Sequence, residues 1–462
     1  MISRLGNFLR FLGGQMETSK ENILISGSIG KGLGHLFLPV WFGLLFQQLY
    51  NMVDTLVVGQ FVGTNAVAAV GNVAFVVQLV IGFCVGIAGG AGVIIAQHYG
   101  AGKIEQVRID VRCSLLVAVV GGLIFTVGSV ALTADVVRWM NTPPEIIEDS
   151  TTYLQIYFCA LIPVLIYNFG TAILCGMGDS KSPLYVLIIS SVVNIVLDLV
   201  FVIAFRWGVF GVALATDIAQ IVSAVLMMIL LLKAMPGVWK GGVNYPEVYR
   251  RIFRIGVPNA VQSVMYSFSN LLVQVAVNGF GTAVVAAWTI YGKADCIHWM
   301  TTSAMGTAMT SFAGQNFGAG KYDRVKKGAW LGNLYLGTVV VLIVLFLYAA
   351  AYPLFDFFSN DTEVIALGVD MMYFLIPAYL LYFPTEVFSG ALRGCGDVKI
   401  PTVVSILGTC LVRMLWVWVI VPLFPTMETV MMCYVVSWGL VSMFYLIYFP
   451  RSRWLERCTS SL

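Results

Sequence analysis

Charge is what this sequence has least of. Lys, Arg, Asp and Glu make up 11% of its 462 residues, against 59% hydrophobic residues and a mean hydropathy of +0.89. A soluble domain carries roughly 25% charged residues, so a chain this apolar cannot cover a water-facing exterior. That excludes a globular protein in water and leaves the bilayer as the natural solvent. The net charge is only +3. No basic patch interleaved with aromatics is present, so nucleic acid is not an expected partner. Paired cysteines are missing as well. No two of the nine form a C-x-x-C pair. Most, such as Cys84, Cys159, Cys296 and Cys410, lie inside apolar runs and read as small packing residues. Neither a disulfide framework nor a metal cluster is implied. A P-loop is absent, because Gly100-Ala101-Gly102-Lys103 lacks the upstream glycine spacing. With no zinc spacing and no catalytic triad either, neither an enzyme nor an ATP-driven pump is expected, and no cofactor. The N-terminus lacks the continuous apolar core and cleavage site of a signal peptide. There Ile2, Leu5, Phe8, Leu9 and Leu12, beside Arg4 and Arg10, fit either a short helix on a membrane surface or a disordered leader.

What is present is hydrophobic length. A membrane-crossing helix needs about 20 apolar residues, and the sequence supplies twelve such stretches: 33–58, 65–97, 106–132, 147–175, 183–205, 208–234, 252–279, 283–316, 328–351, 363–392, 400–421 and 427–449. In lipid, helices of this kind are satisfied only as a bundle. Basic residues orient it. With the N-terminus placed in the cytoplasm, every Lys and Arg falls on the cytoplasmic side except four: Arg138 and Arg206 outside, and Lys293 and Arg413 within the membrane. The expectation is a multi-pass protein of the cell inner (plasma) membrane, with both termini cytoplasmic and a monomeric chain. Its parts are an N-terminal segment (1–32), a six-helix lobe (33–234), a linker (235–251), a second six-helix lobe (252–449) and a tail (450–462). Pro236, Gly237, Gly241, Gly242 and Pro246 mark the linker as long enough for the lobes to move.

The halves repeat. Gln97-His98-Tyr99-Gly100-Ala101-Gly102-Lys103 returns 218 residues later as Gln315-Asn316-Phe317-Gly318-Ala319-Gly320-Lys321. At the same offset Gly63-Thr64 returns as Gly281-Thr282. So does Gly176-Met177-Gly178-Asp179 before Pro183, as Gly394-Cys395-Gly396-Asp397 before Pro401. Leu161-Ile162-Pro163 and Leu375-Ile376-Pro377 match at 214, which leaves a local adjustment of about one helical turn. Six helices per half give both halves the same orientation, hence a pseudo-two-fold axis along the membrane normal, with substrate between the halves near the midplane.

Six acidic residues fall inside the spans: Asp54, Asp198, Asp217, Asp295, Asp370 and Glu386. An ionised side chain at a helix centre costs about 2.5–3.5 kcal/mol on insertion scales, so such residues are functional candidates. Asn194 and Asp198 are four apart and share a helix face. Together with Asp54 and Thr216 they make a set of hard oxygen ligands suited to Na⁺; the same carboxylates, protonated, can hydrogen-bond each other. A structural hydrogen-bond network is the plain alternative. The second half does not duplicate this set, since Asp54 corresponds to Leu272 and Asp198 to Trp416. It carries instead Lys293, Asp295 and His298 on the eighth span, Glu386 on the tenth and Arg413 on the eleventh. That set reads either as an internal charge-paired network or as a second relay or substrate contact. Trp41, Phe46, Tyr50, Tyr266, Trp288, Tyr291, Trp299 and Met300 fall on spans expected to line the cleft, and rings with flexible Met suit lipophilic cations.

The residues that carry a family resemblance are Asn51-Met52-Val53-Asp54-Thr55 with Gly59, the paired Gln-x-x-Gly-Ala-Gly-Lys segments, the two Gly-x-Gly-Asp turns, and Gly211-Val212-Ala213-Leu214-Ala215-Thr216. On these the chain resembles the multidrug and toxic compound extrusion (MATE) family over roughly residues 30–450, and most closely its DinF-like branch. The resemblance implies two lobes that open alternately to either side. It also implies export of organic, often cationic, small molecules in exchange for Na⁺ or H⁺, with Asp54, Asn194, Asp198 and Thr216 matching the cation site of the N-terminal lobe. Some members use an acid on the seventh helix, near Tyr266 here; no acid lies within the membrane between Asp217 and Asp295, which argues against coupling through that position. Two rivals remain. One is a flippase for lipid-linked oligosaccharides, which would favour a more cationic cavity. The other is a channel or scaffold, for which duplicated lobes and a flexible linker are not required.

Overall fold

The computed structural model describes residues 23–452 and 454–460. The N-terminal stretch beside Arg4 and Arg10, expected as a surface helix or a leader, lies outside those residues, as do Lys20 and Arg453.

Among the described residues, twelve long helices form two sets of six. The first set is α1 (Ile29–Val62), α2 (Thr64–Gly100), α3 (Ile104–Trp139), α4 (Ile147–Cys159 with Leu161–Gly176), α5 (Lys181–Ala204) and α6 (Gly208–Ala234). The second is α7 (Pro246–Asn278), α8 (Thr282–Gly318), α9 (Tyr322–Phe358), α10 (Thr362–Gly394), α11 (Lys399–Leu423) and α12 (Met427–Arg451). A short α13 (Trp454–Ser460) docks through the buried Trp454, whose indole donates to the Phe449 carbonyl at 3.0 Å. Ten of these helices are long and apolar enough to cross a membrane, and the bent α4 makes eleven. The twelfth, α8, is as long as α2, at 37 residues. It is more polar because it faces inward: Thr301 and Thr302 are fully buried, and Ser303 and Thr307 line cavities.

Three expected features come out differently. The span 147–175 is not one rod but bends by 52° at Ala160. Pro163 has no N–H to give to the Cys159 carbonyl and its ring crowds that carbonyl, so the helix breaks there. The repeated Leu-Ile-Pro in the second half does the same more gently, tightening Ile376–Ala378 into a single narrow turn within α10. The linker is also shorter. Pro246 opens α7 at a position where a missing N–H costs nothing, which leaves 235–245 between helices. That stretch is docked, with Met235 and Val238 buried and the Lys240 carbonyl accepting from Arg112 Nη1 at 2.8 Å.

Water-soluble bundles put apolar side chains inside; here the outer faces of α3 and α9 carry them, with Ile124, Val127, Leu342, Leu345 and Phe346 each more than 60% exposed. That inversion is what a lipid-facing surface requires. Small residues sit where the halves meet. Gly86 and Gly90 of α2 pack against Ala260 and the Ile252–Gly256 turn of α7 so closely that a Cβ at Gly90 would stand 2.5 Å from the Ile252 carbonyl oxygen. Close backbone approach through small residues is how helices associate where no hydrophobic drive exists between them.

Candidate functional site

Asp54 is one turn before the end of regular α-helix in α1, which widens into a π-type turn over Val58–Val62. Asp198 likewise lies just before a wide turn, over Val200–Ala204 in α5. Such turns are often found at functional sites, because they re-aim the side chains beside them. Here they bring the two carboxyls face to face, close enough for one shared proton to bridge them. Asp198 is fully buried and Asn194, one turn earlier, nearly so. Asn194 donates to Thr216 Oγ1 at 3.5 Å, and that hydroxyl donates to the Val212 carbonyl at 3.1 Å. All four sequence-derived residues are therefore together.

What they lack is donors. Asp54 Oδ1, Asn194 Oδ1 and both oxygens of Asp198 are buried with no hydrogen-bond partner among the described residues. Nearly all buried polar atoms in folded proteins are partnered, and an unmet one costs about 1–3 kcal/mol, more if charged. A cluster of acceptors with nothing to accept is matched by a proton or a hard cation. Tyr50 and Tyr153 flank the pair, and Tyr157 stands beside Tyr50. Tyr50 was expected from the sequence; Tyr153 and Tyr157, stacked at 6.2 Å on the α4 segment before its bend, were not. Their i, i+4 spacing in an apolar run was the available signal. Asp217 is buried nearby with Oδ1 unpartnered.

A cavity of about 410 Å³ adjoins this cluster and is lined by Tyr50, Tyr157, Asn168, Asn194, Thr216 and Gln220. A second, of about 860 Å³, lies against the other half and is lined by Tyr266, Asn270, Asp295, Trp299, Met300 and Glu386. Leu44, Val85, Ala172 and Ser303 form a wall common to both. Of the eight aromatic and Met positions expected in the cleft, Tyr50, Tyr266, Trp299 and Met300 line it, and the other four do not. Trp41 donates to Thr301 Oγ1 at 2.9 Å, Phe46 is exposed, and Trp288 lies tilted against the buried Tyr291 with ring centres 5.2 Å apart.

Among the described residues, the five expected in the second half, Lys293, Asp295, His298, Glu386 and Arg413, form no ion pair with one another. Asp295 accepts from Tyr379 Oη at 2.7 Å, Trp299 Nε1 at 2.8 Å and Tyr291 Oη at 3.4 Å. Glu386 accepts from Tyr382 Oη at 2.7 Å and pairs with Arg393 at 3.4 Å. Arg413, fully buried, donates to Ser437 Oγ and Asn270 Oδ1, both at 3.1 Å, and lies 4.2 Å from the centre of the Tyr434 ring. His298 stacks on Tyr379 at 4.0 Å and 8°. Lys293 is exposed and forms no ion pair among the described residues. Aromatic hydroxyls, an indole and rings do the work expected of opposite charges, and none of these partners can be read from spacing.

One end of the molecule is shut by a symmetric pair of bonds. Gln97, near the end of α2, donates from Nε2 to the carbonyl of Gly394, the last residue of α10, at 2.9 Å. Gln315, near the end of α8, donates to the carbonyl of Gly176, the last residue of α4, at 2.8 Å. The glutamines are one repeat apart and so are the glycines, so each half reaches for the same atom of the other. Arg251 adds a contact to Gln97 Oε1 at 3.3 Å.

A duplicated bundle of membrane-spanning helices, with cavities where its halves meet and a reciprocal closure at one end, has the form of a secondary transporter. The chain belongs to the MatE family, whose model matches it twice, over residues 39–200 and 258–419. The two matches have equal length and begin 219 residues apart, close to the internal repeat. A probable multidrug resistance protein of Bacillus subtilis, YoeA, is 29% identical over 414 residues, covering 85% of this chain and 88% of its own. A second from that organism, YpnP, is 25% identical over 393 residues, with 84% and 87% covered. A solved structure described as the outward-facing conformation of a multidrug resistance MATE family transporter superposes with a TM-score of 0.87 at 21% identity, over 96% of this chain and 99% of that one. The last likeness speaks to the fold.

Proposed function

We propose that this protein exports small organic compounds, cationic or amphiphilic, in exchange for H⁺ or Na⁺, by alternate opening of its two halves. The observation that carries this reading is the cluster of unpartnered buried acceptors at Asp54, Asn194 and Asp198. Empty, the cluster sets two carboxylates against each other in a low dielectric. Occupied by a proton or Na⁺, both costs are relieved. Binding then favours whichever arrangement of the halves closes around the cation, and export follows when that arrangement excludes the organic substrate. The cavity walls of rings and Met suit flat, greasy cations, and the names of the Bacillus subtilis relatives point the same way.

In this reading the latched end is cytoplasmic, following the distribution of basic residues, and both termini lie on that side of the plasma membrane. The two moving units are 33–234 and 252–449, and the chain acts as a monomer. The absence of an acid on the membrane-spanning part of α7 and the placement of the acid pair in the first half favour the DinF-like branch.

The test is transport in proteoliposomes with the pH and Na⁺ gradients imposed separately, using a fluorescent lipophilic cation. At least one gradient, directed inward, is expected to drive the dye outward several-fold faster than no gradient. Equal rates under every gradient would overturn the proposal.

Asp295 offers a contrast. With three donors around it, its charge is satisfied without a counter-cation. Asp295→Asn removes a charged acceptor from three hydrogen bonds and is expected to lower stability by about 2 kcal/mol, seen as a fall in melting temperature, while transport by the surviving protein stays coupled to the gradient. Uncoupled transport at an unchanged melting temperature would assign Asp295 to the coupling step instead.

A further inference from the structure

A third cavity, of about 350 Å³, lies away from the other two, between α2, α3 and α4 of the first half and α7 of the second. Its walls include Phe83, Leu116, Val120, Ile124, Phe253 and Val257. The Tyr249 hydroxyl on its lining donates to the Val243 carbonyl at 2.7 Å. Leu116, Val120, Ile124, Phe253 and Val257 are also exposed on the outer surface, so the cavity is a groove open to the lipid. Its mouth at the linker end is charged. Arg250 and Arg254 are exposed on α7, seven and three residues before Val257, on the same flank of the helix. Arginine side chains on a helix lean toward its N-terminus, which carries both guanidinium groups to the level where α7 emerges. Among the described residues neither has an ion pair or a hydrogen bond. Glu247, one turn away, is exposed and unpaired with them. Arg251, between them in sequence, is turned inward to Gln97 and His98.

We propose that this groove binds an anionic phospholipid, with an acyl chain between α3 and α7 and the headgroup phosphate on Arg250 and Arg254. The chain exchanges one apolar surrounding for another and so contributes fit more than affinity. Selectivity comes from the headgroup, where two planar guanidinium groups match phosphate oxygens. Attraction of this kind between juxtamembrane basic residues and anionic lipid leads to an expected preference of about tenfold, or ~1.4 kcal/mol. The groove is walled by both halves, so the lipid touches both at once.

The site is tested on the full chain by native mass spectrometry, after incorporation into micelles holding equal phosphatidylglycerol and phosphatidylcholine. Retained phosphatidylglycerol is expected to exceed phosphatidylcholine about tenfold. In Arg250→Gln/Arg254→Gln the ratio falls to near one. Gly121 on α3 faces the groove, and a Cβ there would meet only Leu165 Cδ2, at 3.6 Å. Gly121→Phe therefore has room for its Cβ, directs a ring into the groove and is expected to lower retention of both lipids. Melting temperatures of both variants are expected to match the parent. No preference in the parent, a preference that survives loss of both arginines, or retention unaffected by Gly121→Phe would each overturn the proposal.

Discussion

Asp54→Asn is expected to reduce gradient-driven efflux to background while leaving the protein as stable as before, or more so. The two effects have one origin. In the parent the carboxyls of Asp54 and Asp198 face each other with no donor between them. An amide in place of Asp54 removes one charge and brings an N–H₂ group toward the Asp198 oxygens. A hydrogen bond made where a buried acceptor had been unmet stabilises by about 1–3 kcal/mol. The same bond occupies the site permanently, so no proton or Na⁺ is needed and none can report on the gradient. Asp198→Asn is expected to behave nearly the same way. The measurement is efflux by purified, reconstituted variants with the melting temperature recorded alongside. Undiminished gradient-driven efflux would sink the mechanism; so would a loss of efflux matched by a fall in stability.

The second large effect concerns the latched end. A Cβ at Gly318 would fall inside the van der Waals envelope of the Gln97 carbonyl oxygen, and one at Gly100 inside that of Gln315. Both obstacles are backbone and neither can swing away. Gly318→Ala is therefore expected to force α2 and α8 apart at this end. Overpacking of a tight contact costs about 1–3 kcal/mol or more, which shifts the equilibrium away from the latched arrangement by roughly five- to more than a hundredfold. Spin labels at positions 103 and 321 are expected to move apart in Gly318→Ala and Gly100→Ala, with transport falling in proportion. Gly71→Ala is the control on α2, because nothing lies within 4 Å of its Cβ position. An unchanged distance distribution in Gly318→Ala would show that the contact does not hold this end shut.

Much of this was legible in the sequence for a physical reason. Charges are so dear inside an apolar helix that Asp54 and Asp198 stand out, and Asn194 is tied to Asp198 by helical spacing alone. The repeat was legible because turns between spans need particular glycines, and Gln97 and Gln315 travel with them. What the glutamines bind was not, since Gly394 and Gly176 come from helices whose closeness is a tertiary fact. The donors around Asp295 were hidden likewise: Tyr379 lies 84 residues away. Of the seven expected rings only Tyr50, Tyr266 and Trp299 line the cavities, because an aromatic side chain suits a cavity wall, a packed core or an exposed face alike. The bend at Ala160 was foreshadowed by Pro163, yet the apolar run through it read as continuous.

The reciprocal latch has a bearing on ancestry. Each glutamine bonds to the opposite half, so a lone six-helix unit has neither bond available to it. Two identical units facing each other across a two-fold axis would form both at once, and any substitution would strike both together. In a fused chain the two bonds are encoded at separate positions. Gln97 can acquire a neighbour such as Arg251 while Gln315 keeps a different one, and the hold on each side can be tuned by itself.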